Sequence, residues 1–322
     1  MLKILICGAS GFIGRNLFEI LSQRPDLDVY GTYLNRRFSK NKRLIRADLT
    51  DQEWAREVTK GMDVVIDAAA ITDGSGAVVA NPGRYITNNI RINTNLIESA
   101  HENNVSHFIF LSCSVLYPAN SATPLKETDV NLSLIHPRYY TGARMKLFSE
   151  DLCHFFSRFD RTRFTIIRHS NNYGPFDKFD TNKGHVFSAT IEKIMSPSND
   201  RVIVWGDGHE RRDFLHVFDL VNFIEMAIKH KIDGSSVFNV GSGYSLSVRE
   251  LVEKMCSLAS KSLPIHYDLT RQSIDTNIIL DTTKAKDLLG WRPRIDINEG
   301  IRQTIDWYLK TTKEKAKDKD RL

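Results

Sequence analysis

Residues 3–14, KILICGASGFIG, most constrain what this chain can fold into. An apolar run ends at Gly8, and Gly11 and Gly14 follow at intervals of three before an amphipathic stretch begins. A strand that turns directly into a helix needs a tight turn, close backbone approach and close helix–strand packing, and a glycine serves each need. The helix start then offers free N–H groups from Ser10 through Phe12 and Ile13, together with the positive end of the helix dipole. That arrangement suits a pyrophosphate, so the segment predicts a dinucleotide-binding loop. Cofactor choice is read past the second strand, where a carboxylate would bond the adenosine ribose hydroxyls of NAD. The chain has Asn35, Arg36 and Arg37 there, with Arg15 beside the loop, and no acid. Two guanidinium groups suit a 2′-phosphate, which makes NADP the expected cofactor and NAD the alternative; surface charges before a loop are the other reading of Arg36 and Arg37.

The rest of the first half repeats the theme. DVYGTY, DVVIDAAA, HFIFLS and FTIIRHS are continuously apolar, as strands buried on both faces must be, and amphipathic stretches such as Gly14–Ser22 and Ile90–Asn103 lie between them. Alternating strand and helix predicts an α/β fold, a Rossmann doubly wound parallel sheet with a smaller C-terminal substrate domain. Residues 1–170, rejoined by 214–240, are expected to form the dinucleotide domain. Residues 171–213 and 241–309 are expected to form the second. Residues 171–200, rich in Gly, Pro, Asn and Lys, suit loops over a ligand cleft. Ser247–Ala259 and Asp281–Leu289 read as helices of the second part.

Composition excludes several classes. No run reaches the ~18–20 apolar residues of a membrane span, and Met1 leads directly into a strand, which leaves no room for a signal peptide. Cys7, Cys113, Cys153 and Cys256 are widely spaced, as expected for reduced thiols in a cytoplasmic protein. The net charge of +5 is mild. In the tail, residues 310–322, six basic side chains outnumber Glu314, Asp318 and Asp320, without the aromatic interleaving a nucleic-acid arm would carry. No metal-ligand spacing is present.

By these motifs the chain resembles the extended short-chain dehydrogenase/reductases that act on nucleotide-linked sugars. The resemblance runs from Lys3 to about Trp307. ADLTD (Ala47–Asp51) is similar to the family's adenine-contacting strand end, which implies Asp48 and Leu49 as cofactor contacts. Ala68, Ala69 and Ala70 resemble the small-residue strand end beside the cofactor, and Asn89–Ala100 the helix whose asparagine braces the site. NNYGP (from Asn171), RRDFLHVFDL, NVGSG and LGWRP resemble substrate-side landmarks. GPFDKFDTNKGHV with VIVWGDG is similar to the GDP-L-fucose synthase-like branch. That resemblance implies His185 as an acid in epimerisation, Arg212 on the phosphates, and Ser114, Asn171, Val186 and Trp205 as further substrate contacts. It also implies a homodimer through a four-helix bundle built on Ile90–Asn103 and Lys146–Phe156.

The catalytic centre departs from the family pattern. The family places tyrosine four residues before a lysine; Lys146, opening KLFSE, fits the lysine, but Gly142 stands where the tyrosine belongs. Tyr139 and Tyr140 lie nearby, as relocated proton donors or as packing residues at a helix entrance. Cys113 occupies the family's Ser/Thr position, as a weak donor, a thiolate beside a cationic cofactor or a small strand-end residue. The expected function is an NADP-dependent nucleotide-sugar oxidoreductase or epimerase on a GDP-linked deoxy or keto sugar in surface-polysaccharide synthesis. Tyr140 or Tyr139, Cys113 and His185 would share its proton work. The alternative is a non-catalytic relative that binds dinucleotide and sugar nucleotide as a regulator or subunit, and a plain carbonyl reductase is third.

Overall fold

The first strand, β1 (Leu2–Cys7), sits at the centre of the molecule because four consecutive side chains, Ile4 to Cys7, are sealed from solvent on both faces of a sheet. The computed structural model describes residues 1–72, 82–181, 184–271 and 273–319. β1 leads into α1 (Phe12–Leu21), β2 (Leu27–Tyr33), β3 (Leu44–Arg46), α2 (Gln52–Thr59), β4 (Val64–Asp67), α3 (Pro82–Glu102), β5 (His107–Cys113), α4 (Tyr140–Phe156) and β6 (Arg163–His169). With β10 (Ser235–Val240) these strands form one seven-stranded sheet in the order β10-β6-β5-β4-β1-β2-β3, every pair parallel. The fold is the doubly wound α/β sheet expected from the alternation. Its strand order reverses between β1 and β4, the place where doubly wound sheets form a crevice outside the carboxyl ends of their strands.

Side-chain alternation divides the core into two layers. Ile4, Ile6, Val64, Ile66, Ile109, Leu111 and Ile167 face α1 and α6 (Val217–Lys229), while Leu5, Val65, Phe108, Phe110, Phe164 and Ile166 face α3 and α4. A third cluster builds the smaller lobe. It joins β7 (Asn171–Tyr173), α5 (Val186–Met195), β8 (Val202–Trp205), β9 (Arg211–His216), β11 (Ser245–Ser247), α7 (Val248–Leu258), β12 (Ile265–Asp268) and α9 (Ile297–Lys319), and β13 (Asn277–Ile278) pairs with β9. A capping box, Ser247 with Glu250, fixes where α7 starts.

Two expectations need correction. The stretch 171–200 is not all loop: β7 and α5 lie within it, and α5 buries Phe187, Ile191 and Ile194 at helical spacing in the third cluster. Polar residues on either side obscure that apolar stripe in the sequence. Nor does the main core stop at residue 240. α8 (Thr283–Leu289) and Trp291 pack into the α1/α6 layer, where the Trp291 indole donates to the Asp219 carbonyl oxygen at 3.2 Å. The Asp219 carboxylate in turn accepts from the backbone N–H groups of Arg294 and Ile295.

One buried ion pair locks α4 to the sheet. Arg168 on β6 forks onto Glu150 of α4, with Nη2 2.6 Å from Oε2 and Nε bonding both oxygens. Arg168 Nη1 also donates to the Tyr117 hydroxyl and the Glu127 carbonyl oxygen, and Tyr117 donates to Asn239 on β10. Both charged side chains are almost wholly buried. Removing one partner strands the other's charge in a low-dielectric interior. Glu150→Ala is expected to lower the unfolding free energy by about 3–5 kcal/mol, read from urea denaturation midpoints.

Candidate functional site

The crevice at the strand-order reversal begins with Gly8, whose φ of +76° favours glycine and whose hypothetical β-carbon would lie 2.7 Å from Ala69 Cα. A β-carbon on Gly14 would overlap the Gly8 carbonyl oxygen, so helix and strand meet only if residue 14 has no side chain. Gly11 caps α1 without any side-chain bond, and the first turn holds no acid. The N–H groups of Phe12, Ile13 and Gly14 therefore point from the helix start with no i−4 partner. Ser10 and Gly11 are exposed beside them. This cradle fits the pyrophosphate of a dinucleotide.

The crevice rim is braced from several sides. Thr32 at the end of β2 accepts from Gly8 N–H through its hydroxyl and from Ala9 N–H through its carbonyl. Asn35, Arg36 and Arg37 follow β2 as exposed residues, and Arg37 donates to the Asn41 carbonyl. Arg15 lies 3.6 Å from the Phe38 ring centroid and feels the charge of Arg36. Asp48 is exposed, its carboxylate turned back on Thr50, while Leu49 is buried. Ala68, Ala69 and Ala70 lie just beyond β4, outside the strand. Asn89 of α3 holds that segment by bonding both backbone groups of Ile71, and Asn93 donates to Ser149 of α4.

Across the crevice, Lys146 donates to the Leu111 carbonyl on β5 at 2.7 Å and lies over the Phe110 ring. Its charge reaches Asp67, Cys113 and His169, which end β4, β5 and β6. Cys113 and His169 are register partners. Burial pushes the Cys113 thiol up despite Lys146, so the thiolate form is disfavoured. Ser114 is buried next to it.

The tyrosines do not restore the family pattern. Tyr140 is 40% exposed on the outer stripe of α4, with Phe148 and Phe155, and Arg144 stacks over it at 5.8 Å. Six residues on a helix amount to a rotation of about 600°, which puts Lys146 on another face. Tyr140 is therefore not brought to the lysine. Tyr139 caps α4 and packs against Leu116, Ile135 and Ala143. Gly142 has open space where a β-carbon would stand.

On the smaller lobe, His185 precedes α5 and its exposed imidazole bonds the buried Asp177 carboxylate, Nδ1 to Oδ1 at 3.1 Å. That bond raises the imidazole's pKa. Val186 opens α5, and Asn171 donates to the Asp213 carbonyl at 3.1 Å. Trp205 on β8 is exposed between two cations, Arg271 at 4.7 Å and Lys193 at 5.8 Å. Arg212 on β9 donates to the Thr276 hydroxyl. Two contacts tie this lobe to the crevice: Asn16 of α1 donates to the Pro175 carbonyl, and Lys178 to the Thr72 carbonyl. Among the described residues, no group of three His, Cys, Asp or Glu side chains could hold a metal ion, and no helix is long and apolar enough to cross a membrane.

The sequence reading missed Asp67, Asp177 and His169. An aspartate ending a buried strand and a histidine one residue from a buried arginine carry no local signal. Only the sheet register and the packing reveal their surroundings.

A model of the NAD dependent epimerase/dehydratase family matches residues 4–241. The chain belongs to that family. It is 30% identical to a GDP-L-fucose synthase of Azorhizobium caulinodans, over 95% of this chain and 96% of that one. It is also 30% identical to a GDP-mannose 3,5-epimerase of Arabidopsis thaliana, over 99% of this chain and 85% of that one. Among solved structures, the UDP-glucose 4-epimerase of Thermotoga maritima with UDP-glucose superposes with a TM-score of 0.84 at 27% identity, covering 97% of this chain and all of that one.

Asp67 yields a direct test. Burial raises its carboxyl from the ordinary 3.8 to about 6, although Lys146 and the Ala69 N–H favour the ion. The folded chain thus holds this proton more tightly than the unfolded one, and stability falls as pH rises from about 4 to 6. Asp67→Asn removes that cost. It is expected to stabilise the protein by roughly 3 kcal/mol well above pH 6 and by nothing below about pH 4, as paired thermal melts across that range will show.

Proposed function

We propose that this member of the epimerase/dehydratase family is an NADP-dependent nucleotide-sugar oxidoreductase or epimerase. Its substrate is a GDP-linked deoxy or keto sugar used in cytoplasmic steps of surface-polysaccharide synthesis. The observation that carries the reading is the convergence of the uncapped α1 cradle and the cluster of Lys146, Cys113 and His169 on one crevice. The GDP-sugar relatives support the substrate class.

In this reading the α1 amides hold the pyrophosphate, Asp48 and Leu49 border the adenine, and Arg36 and Arg37 take a 2′-phosphate. Bound there, the nicotinamide supplies a hydride acceptor or donor. Lys146 keeps a positive charge beside the nicotinamide ribose, held from below by the Leu111 carbonyl. Trp205 offers a flat face for the guanine, with Arg271 and Lys193 beside it, and Arg212 takes the diphosphate as a fork of donors. His185, kept protonated longer by Asp177, is placed to give a proton to a sugar carbon or oxygen. Tyr139 and Cys113 pack around the centre. The exposed Phe148 and Phe155 on α4 fit a homodimer through α3 and α4.

One observation favours a second reading. Gly142 leaves the family's tyrosine place empty of any hydroxyl, as suits a dinucleotide-binding subunit without turnover. The two readings separate when the protein is incubated with NADPH or NADH and a panel of GDP- and CDP-linked 4-keto sugars. Loss of NADPH absorbance, or a product of changed mass or stereochemistry with a GDP-linked sugar, is the expected result. NADPH binding with no product from any sugar establishes the non-catalytic reading instead.

A further inference from the structure

His169 is the last residue of β6, and its register partner Cys113 holds the place at the end of β5 where the family pattern has a hydroxyl. The ring is half-buried, with Nδ1 2.8 Å from the Ser170 carbonyl oxygen. A carbonyl only accepts, so the Ser170 contact is made in the tautomer that carries the proton on Nδ1, and in that tautomer Nε2 is an acceptor. The Asn172 amide nitrogen, 2.8 Å from the same Nδ1, donates to it in the other tautomer, so each tautomer has a partner at Nδ1 and neither uses Nε2. Nε2 makes no hydrogen bond among the described residues, and it is not one of their sealed polar atoms. A histidine serving only as strand-end packing would leave no such acceptor open at the sheet's carboxyl edge, where ligands of doubly wound folds bind.

The groups around the ring come from three elements. Cys113 stands beside it on β5, Lys146 acts on it from α4, and His185 acts on it from the start of α5. Burial chiefly, and then Lys146 and His185, bring its pKa down to about 4 against the Ser170 bond. The ring is therefore neutral at ordinary pH.

We propose that His169 is a catalytic residue, its Nε2 taking the proton that a sugar hydroxyl releases on oxidation and returning it to the sugar carbonyl oxygen on reduction. The assignment rests on the oxidoreductase reading above. In the oxidative direction the sugar O–H bond breaks and an Nε2–H bond forms, turning imidazole into imidazolium. The carbinol C–H electron pair leaves as hydride to a nicotinamide dinucleotide, the co-reactant class of that reading. His169 thereby does the work assigned elsewhere to a tyrosine, from the neighbouring strand end rather than from α4. Tyr140 points away and the Cys113 thiol holds its proton too firmly to compete.

The test uses His169→Asn, whose amide can keep the bond to Ser170 while removing the acceptor, and His169→Gln, whose amide reaches the Nε2 position. The wild-type chain is first assayed with the sugar nucleotide it turns over. Both variants are then expected to lose about a hundredfold or more in kcat, because an amide can hydrogen-bond but not take the proton, with NADPH affinity and melting temperature unchanged. The wild-type oxidation rate should fall as pH drops towards about 4, where the imidazole protonates, and the residual rate of His169→Asn should lack that limb. Independently of turnover, the imidazole NMR resonance missing from His169→Asn should titrate below pH 6 and shift when NADP is added. Unchanged turnover in His169→Asn, or a resonance indifferent to NADP, overturns the assignment while leaving the enzyme reading intact. Wild-type protein that binds NADPH but turns over no sugar nucleotide overturns both.

Discussion

The Gly8 carbonyl oxygen lies where a β-carbon on residue 14 would have to go, and much else in the molecule follows from that approach. It sets the start of α1 against the end of β1 at the one place in the sheet where strand order reverses. The helix start is left uncapped, so its unsatisfied N–H groups face the crevice. Asn16, one turn into the same helix, donates to the Pro175 carbonyl and so fixes the start of the substrate-side loop to the dinucleotide cradle. That bond, with the one from Lys178 to the Thr72 carbonyl, couples the two halves of the site.

A second constraint orients the reacting end. The ion pair of Arg168 with Glu150 joins β6 to α4, and through Tyr117 and Asn239 it reaches β10. Desolvating two charges is costly, and the fork geometry with its extra acceptors offsets that cost. With α4 held in this way, Lys146 meets the Leu111 carbonyl and Tyr140 is turned to the outside. The same alternation that sends Arg168 to α4 sends His169 to the opposite face, the side of Ile167, at the carboxyl edge of the sheet.

The parallel sheet was legible in the sequence because its strands are buried on both faces and read as unbroken apolar runs. The glycine loop was legible because each glycine answers a separate backbone demand. Residues 171–200 misled, since the stripe of Phe187, Ile191 and Ile194 is short and flanked by turn-forming residues. Trp291 falls within residues 241–309, expected in the second domain, yet packs into the main core, because its partner, Asp219, lies far away in the chain. Within the site, motif spacing found Lys146 and the absence of a tyrosine at Gly142, but local spacing cannot register one strand end against another. Cys113 and His169 are far apart in sequence and become neighbours only through β5–β6 pairing.

The central claim is that the crevice is complete without a tyrosine at residue 142. Gly142 lies in ordinary helical backbone, and a β-carbon there would meet nothing within 4 Å, so Gly142→Tyr restores the family's YxxxK spacing on an unobstructed position. The decisive measurement is kcat for this variant against the wild-type chain on the same nucleotide sugar. If the proton partner is already present, the rate changes by less than about tenfold, a barrier difference under ~1.4 kcal/mol. A gain of about a hundredfold or more would mean that the wild-type site lacks its proton partner, and the account would be wrong.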